Sequence, residues 1–295
     1  MKKTLILTTG ILCAAPVVSP AALINRYSFN AIAAGAPAGT TITDSVGGAN
    51  GVIIGDGANF TGGAINLPGG AGGSTAAYVD LPNGLLSSHN TVTFEAWFTV
   101  ESTTNAWGRV WDFGSSLGGE VTGSGGGGEG WDYFMYAPMQ GTDINLQRNA
   151  LRNLDPATLG SGVAPVNAAE IDNDPNLTSL LGTQYHIATV WEDDGAGGGI
   201  FSTYRDGVLV GGPTASNYNA TDMNDVNNWL GRSNWTNDGY YDGDIDEFRI
   251  WNEALDANAV AASFAAGPDS VVPEPSTFGL FGLAGFALML RRRRR

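Results

Sequence analysis

The sequence predicts an all-β fold, two antiparallel sheets packed face to face as a sandwich, with one short C-terminal helix. Three observations predict it. Apolar and polar residues alternate over short runs, Gly, Asn and Asp turns separate those runs, and a single stretch carries helix caps.

In chain order, strands are expected at Arg26–Asn30, Val52–Ile54, Ala64–Leu67 and Tyr78–Leu81. TVTFEAWFTV has the clearest signal. Val92, Phe94, Ala96, Phe98 and Val100 alternate with Thr91, Thr93, Glu95, Trp97 and Thr99, a period of two that gives one face to a core. Strands follow at Arg109–Phe113, Asp132–Tyr136 and Asp143–Gln147, although residues 138–182 as a whole have weak periodicity and read as a long decorated insertion. YHIATVWE, 185–192, reads as a more fully buried strand. TYRDGVLV reads as a hairpin, because Asp206 and Gly207 suit the positive φ angles of a type I′ turn. Ile245–Trp251 is the last strand. Asp256 then caps ANAVAASFAA as a helix, and Gly267 stops it. Glycine, 43 of 295 residues, is spread without a strict period and belongs to turns rather than to a collagen-like repeat.

The two ends are addresses. Lys2 and Lys3 precede an apolar run from Leu5 to Val18, and small residues follow at Ser19 and Ala21. This is the pattern of a secretory signal peptide over residues 1–21, cleaved after Ala21. Leu12 stands where a lipobox needs a small residue, which argues against lipidation at Cys13. The other end reads VPEPST, then thirteen apolar residues from Phe278 to Leu290, then five arginines. As a helix the run is about 20 Å long at ~1.5 Å per residue, against a hydrocarbon core of about 30 Å. That length suits transient membrane contact better than a permanent span. The arginines hold their end on the cytoplasmic side.

This Pro-Glu-Pro motif, short apolar helix and arginine cluster resemble the PEP-CTERM sorting signal of exported bacterial proteins. The resemblance covers residues 271–295. It implies a membrane-embedded exosortase-type protease cutting near Pro273, Glu274 and Pro275, after passing contact of 278–290 with the inner membrane. It also implies a final place at the cell surface or in the extracellular matrix. The mature domain is then 22–270.

Without the two ends, seven of the fourteen basic residues and one of the 29 acidic residues are gone, so seven arginines face 28 acids, a net charge of −21. Such a surface repels nucleic acid and anionic lipid and suits divalent cations, neutral glycans or plain solubility. The mature region has no cysteine, so a core and not disulfides must hold it.

The ordered series RYSFN, TDSVGGANGV, TFEAWFTV, YHIATVWEDD, YRDGVLVGG, LGRSNW and GDIDEFRIWNEAL is similar to the laminin-G-like, concanavalin A-like jelly-roll domain, over about 25–266. That family implies a two-sheet jelly roll and no single activity, since lectins, glycosidases and inert modules share it.

Candidate sites follow. In GDIDEFRIW, strict alternation puts Asp244, Asp246, Phe248 and Ile250 on one face, so Asp246 would reach the sandwich interior or its rim. The resemblance implies a structural calcium shared between such an Asp and the loop after the first strand, with Asp246, Asp44 and Asn50 as ligands. The alternative is an Asp satisfied by backbone N–H groups. Glycosidases of this fold carry paired acids on one strand, but Phe248 fills the second same-face position here and Glu247 points away. His186 lies in a core-like strand and reads as structural. Trp107, Trp131, Trp235, Tyr240 and Tyr241 flank polar turns, where rings stack on sugars or close the ends of sandwiches. Trp235 and Tyr240 are the main candidates for sugar contact. The expected function is an exported, non-catalytic protein that binds glycan or associates with exopolysaccharide. A glycoside hydrolase and a structural adhesion module are the alternatives.

Overall fold

A computed structural model describes residues 22–270, apart from 118, 124–127, 145, 154–168 and 173–180. Ala21, Pro273, Glu274, Pro275, the apolar run 278–290 and part of the 138–182 insertion lie outside the described residues. In chain order the strands are β1 (Leu23–Tyr27), β2 (Ala34–Gly35), β3 (Thr41–Ile42), β4 (Gly51–Ile54), β5 (Asn59–Phe60), β6 (Ile65–Gly70), β7 (Tyr78–Leu81), β8 (Val92–Val100) and β9 (Trp111–Ser116). They continue with β10 (Gly130–Ala137), β11 (Arg148–Arg152), β12 (Ala169–Asp172), β13 (Gln184–Asp193), β14 (Gly199–Arg205), β15 (Val208–Ser216), β16 (Asn227–Leu230) and β17 (Tyr240–Trp251), and helix α1 (Ala257–Ala266) follows.

Two antiparallel sheets form. One runs β15-β14-β13-β8-β17-β6-β5-β2, with β1 also on β17; the other runs β12-β11-β10-β9-β16-β7-β4-β3. The alternation in β8 does its expected work: Phe94, Ala96 and Phe98 enter the core between the sheets. Phe94 makes edge-on contacts with Phe113 at 4.8 Å and Phe134 at 4.9 Å, which lock the two sheets together, and with Phe248 of its own sheet at 5.5 Å. The opposite face of β8 is buried too, because α1 lies over this sheet: Val260 packs with Ala188, Trp251 and Leu255. Asp256 caps α1 by accepting from Ala259 N–H at 2.8 Å. At the β14–β15 turn Asp206 and Gly207 have φ of 48° and 78°, as a type I′ hairpin requires.

Two readings are corrected. Among the described residues of Asp143–Gln147 there is no strand; Asp143 forms an isolated bridge with Gln140 at a turn, and the strand is β11, which starts five residues later. Strict alternation in the last strand also fails. β17 is out of step with β8 between Ile245, opposite Phe98, and Glu247, opposite Trp97, so Asp246 is the extra residue of a bulge. Tyr241 and Ile245 face the core before it, Phe248 and Ile250 after it. Asp246 therefore does not share the inward face of Phe248.

Candidate functional site

Two of the three expected calcium ligands, Asp44 and Asn50, are used otherwise. Asp44 Oδ1 accepts from the N–H groups of Arg26 (2.9 Å), Val46 (3.0 Å) and Gly47 (3.1 Å). Its Oδ2 accepts from Asn25 Nδ2 (2.7 Å) and the Ala49 N–H (3.0 Å). Five donors fill a carboxylate that offers about four lone-pair sites. Burial opposes the charge, but these bonds outweigh it and hold the Asp44 pKa below the ordinary value. Asn50 Oδ1 accepts from the Asp44 N–H at 2.9 Å. The donor set thus fits a hydrogen-bonded loop clasp and does not fit a cation cage. Among the described residues no three His, Cys, Asp or Glu side chains converge as a metal site. At the bulge, one buried Asp246 oxygen has no hydrogen-bond partner. Burial, and then the Asp244 charge, push its pKa up to about 6.

Glu247 is also structural. Arg26 holds it with Nε at 2.5 Å from Oε1 and Nη2 at 3.1 Å from Oε2, and Arg249 joins it from the same strand. His186 Nε2 lies 2.8 Å from the buried Glu95, and its ring lies 4.4 Å from that of Trp97.

The best candidate for binding is a cleft of about 220 Å³ on the outer face of the second sheet, walled by Trp107, Trp235, Tyr133, Met135, Arg148 and Arg152, with Arg109 and Asp238 at its base. Antiparallel pairing builds it. Tyr133 in β10 stands opposite Arg152 in β11, and Ala137 opposite Arg148. The alternate residues of these strands, Phe134, Tyr136 and Leu151, go to the core. Arg148 lies over Trp107 with its guanidinium 5.4 Å from the ring centroid, and Arg152 lies 5.3 Å from that of Trp235.

The walls are fixed from behind. Arg109, almost wholly buried, is joined to Asp112 and, at 2.6 Å, to Asp238. Burial opposes its charge, but the two carboxylates outweigh it and raise its pKa further. Asp112 in turn accepts from Asn234 N–H (2.9 Å) and Nδ2 (2.8 Å), and Ser233 Oγ accepts from the Trp235 N–H (2.9 Å). Trp235 packs so closely on β10 that a Cβ at Gly130 would come within 2.7 Å of its Nε1.

Trp235 is thus in the cleft wall, as is Trp107. Tyr240 is not: it is 2% exposed, packs against Tyr78 and donates its hydroxyl to the Ser74 carbonyl at 3.2 Å. Tyr241 is a core residue, and Trp131 does not line the cleft. Sequence reasoning missed Tyr133, Arg148 and Arg152. The signal that holds the two arginines is the alternation in RNALR, hidden by placing the strand five residues too early.

The comparisons with known proteins agree with the architecture. Domain 4 of AbnA, an extracellular arabinanase from Geobacillus stearothermophilus solved with arabinotriose, superposes with a TM-score of 0.52 at 20% identity, covering 83% of this chain and 98% of that one. A sialidase from Trypanosoma rangeli gives 0.50 at 14% identity over 82% of this chain, but only 32% of the sialidase. The binding domain of botulinum neurotoxin serotype D/C gives 0.51 at 12% identity, over 82% of this chain and 51% of that one. These likenesses are of fold. Among curated protein sequences none matches at a significant level. Residues 271–295 match the PEP-CTERM protein-sorting motif, which implies export and processing by an exosortase at the membrane. Residues 72–261, well over half of the chain, match the laminin-G-like model, and the chain belongs to the concanavalin A-like lectin/glucanases superfamily.

Proposed function

We propose that this is an exported, surface-associated module that binds polysaccharide through the Trp107–Trp235 cleft without cleaving it. One observation carries the reading: two partly buried tryptophans and Tyr133 share a recess with hydrogen-bonding side chains. Apolar ring faces take the C–H face of a sugar, while charged and amide groups take its hydroxyls. The similar fold of an arabinanase domain solved with arabinotriose supports the capacity of this architecture for such ligands. Glycoside hydrolysis in most families uses two carboxylates set across the scissile bond. Among the described lining residues the only acid is Asp238, and it is paired with Arg109. A sorting motif that directs a protein to the surface fits a polysaccharide partner.

A glycan array probed with the exported protein, joined to a reducing-sugar assay on every glycan bound, tests this. Binding is expected to fall tenfold or more in Trp107→Ala and Trp235→Ala, with no sugar released. Unchanged binding in both variants overturns the site, and release of reducing ends overturns the non-catalytic reading.

A further inference from the structure

We propose that the cleft selects an acidic sugar, a uronic acid within a polysaccharide, and that Arg152 recognises its carboxylate. This rests on the cleft being a glycan site. The chain is strongly acidic, with a net charge of −15, and only seven arginines lie between residues 22 and 270. Three of these, Arg109, Arg148 and Arg152, line this one cleft. A concentration of cations in a recess with apolar walls favours an anionic ligand, because charge interactions strengthen where water is partly excluded.

The three arginines are not equivalent. Arg109 is held by Asp112 and Asp238 and has its compensation within the protein. Arg148 stands opposite Asp172 in the β11–β12 register. Arg152 lies over two rings, 5.8 Å from the Tyr133 centroid and 5.3 Å from that of Trp235, and no described carboxylate forms an ion pair with it. Its Nε is buried and has no hydrogen-bond partner. Stacking fixes the plane of a guanidinium while leaving its edge donors available, and that edge matches a carboxylate in a bidentate pair. Tyr133, Trp235 and Met135 beside it supply an apolar surface for the sugar ring. A neutral sugar would leave this cation facing hydroxyls; a uronate would neutralise it.

The test is calorimetry on the exported protein with trisaccharides of galacturonate and mannuronate and with their carboxyl-reduced counterparts. Short ligands keep the acidic surface as a whole from dominating the measurement. At least one uronate is expected to bind tenfold or more tighter than its reduced form, as a charge-assisted pair provides. Arg152→Gln is expected to abolish that preference, with Arg152→Lys retaining part of it, and thermal unfolding of each variant confirms that it is folded. Equal binding of acid and reduced forms, both weakened by Trp235→Ala, overturns acid recognition and leaves the glycan site standing. A preference that survives Arg152→Gln overturns the assignment to Arg152. Failure of all four trisaccharides to bind overturns the acidic-sugar proposal, and the glycan array then decides the site by itself.

Discussion

Arg249 and Glu95 stand directly opposite each other on β17 and β8, and their side chains meet beneath α1 with Nη1 3.4 Å from Oε2, both wholly buried. The pair is the centre of a longer chain of contacts. Glu95 also takes His186 and the Trp251 Nε1 (3.2 Å), and Arg249 reaches Glu247, Ser263 Oγ (3.2 Å) and the carbonyl of Ser270 (2.9 Å). It ties the sheet, the helix and the segment that runs to the sorting motif into one polar layer. Arg249→Met leaves two buried carboxylates short of a cation and is expected to destabilise the protein by about 3–5 kcal/mol, read as a lower denaturation midpoint.

The same layer sets an acid response. Burial would raise the Glu95 pKa, but the His186 hydrogen bond and the charges of His186 and Arg249 outweigh it and hold it below 4.5. Its stabilisation is complete above the unfolded value and is lost as pH falls through the lower folded value. Glu95→Gln is expected to flatten the loss of stability below pH 4.5, measured as the melting temperature across an acid series; an unchanged slope would locate the acid response elsewhere.

Asp246 acts in the opposite sense. Its folded pKa of about 6 lies above the ordinary 3.8, so the folded state favours the protonated form. That contribution is fully present below the unfolded value and is lost as pH rises through about 6. The displacement corresponds at most to about 3 kcal/mol, which screening at a partly exposed carboxylate reduces to about 1 kcal/mol. Asp246→Asn is expected to raise stability at pH 7 and to have little effect at pH 4.

Asp44 organises the loop between β3 and β4 through the five donors it accepts. Asp44→Ala leaves part-buried N–H groups unpaired and is expected to cost about 3 kcal/mol. Thermal scans with calcium and with chelator discriminate this from a cation site, since a bound ion would stabilise by about 2.7 kcal/mol at a hundredfold excess over its dissociation constant. The wild-type midpoint is expected to be the same in both.

Gly130 makes room for Trp235. Gly130→Ala puts a methyl group 2.7 Å from the indole Nε1 and must displace the ring. Glycan affinity is expected to fall about tenfold, roughly 1.4 kcal/mol, in a protein that still unfolds cooperatively.

Export leaves a mass signature. Protein recovered outside the native host is expected to lack residues 1–21 and Arg291–Arg295; intact mass measures both, and a secreted form that keeps the arginines would contradict processing at the sorting motif.

The sequence by itself determined the class of the fold, its two-sheet form, the hairpin at Asp206-Gly207, the helix cap at Asp256 and the sorting motif. Each of these is written in local chemistry: a period of two, a pair of residues suited to positive φ, a capping carboxylate, an apolar run beside arginines. The core aromatics Phe94, Phe98 and Phe248 were legible for the same reason.

Tertiary structure alone decided the rest. A single extra residue at Asp246 shifts the alternation of β17, and nothing in GDIDEFRIW marks the bulge, because it is defined by the register with β8. Trp235 and Tyr240 both border glycine-rich turns, yet one walls the cleft and the other is buried against Tyr78. The cleft itself joins residues from 107 to 238. Period-two alternation sorts side chains between the two faces of a strand, but only the pairing of β10 with β11 and the return of the 233–238 loop bring those faces together. Arg152 shows the difference most plainly: in the sequence it is one cation within a weakly patterned insertion, and its chemistry comes from two rings that the fold places beneath it.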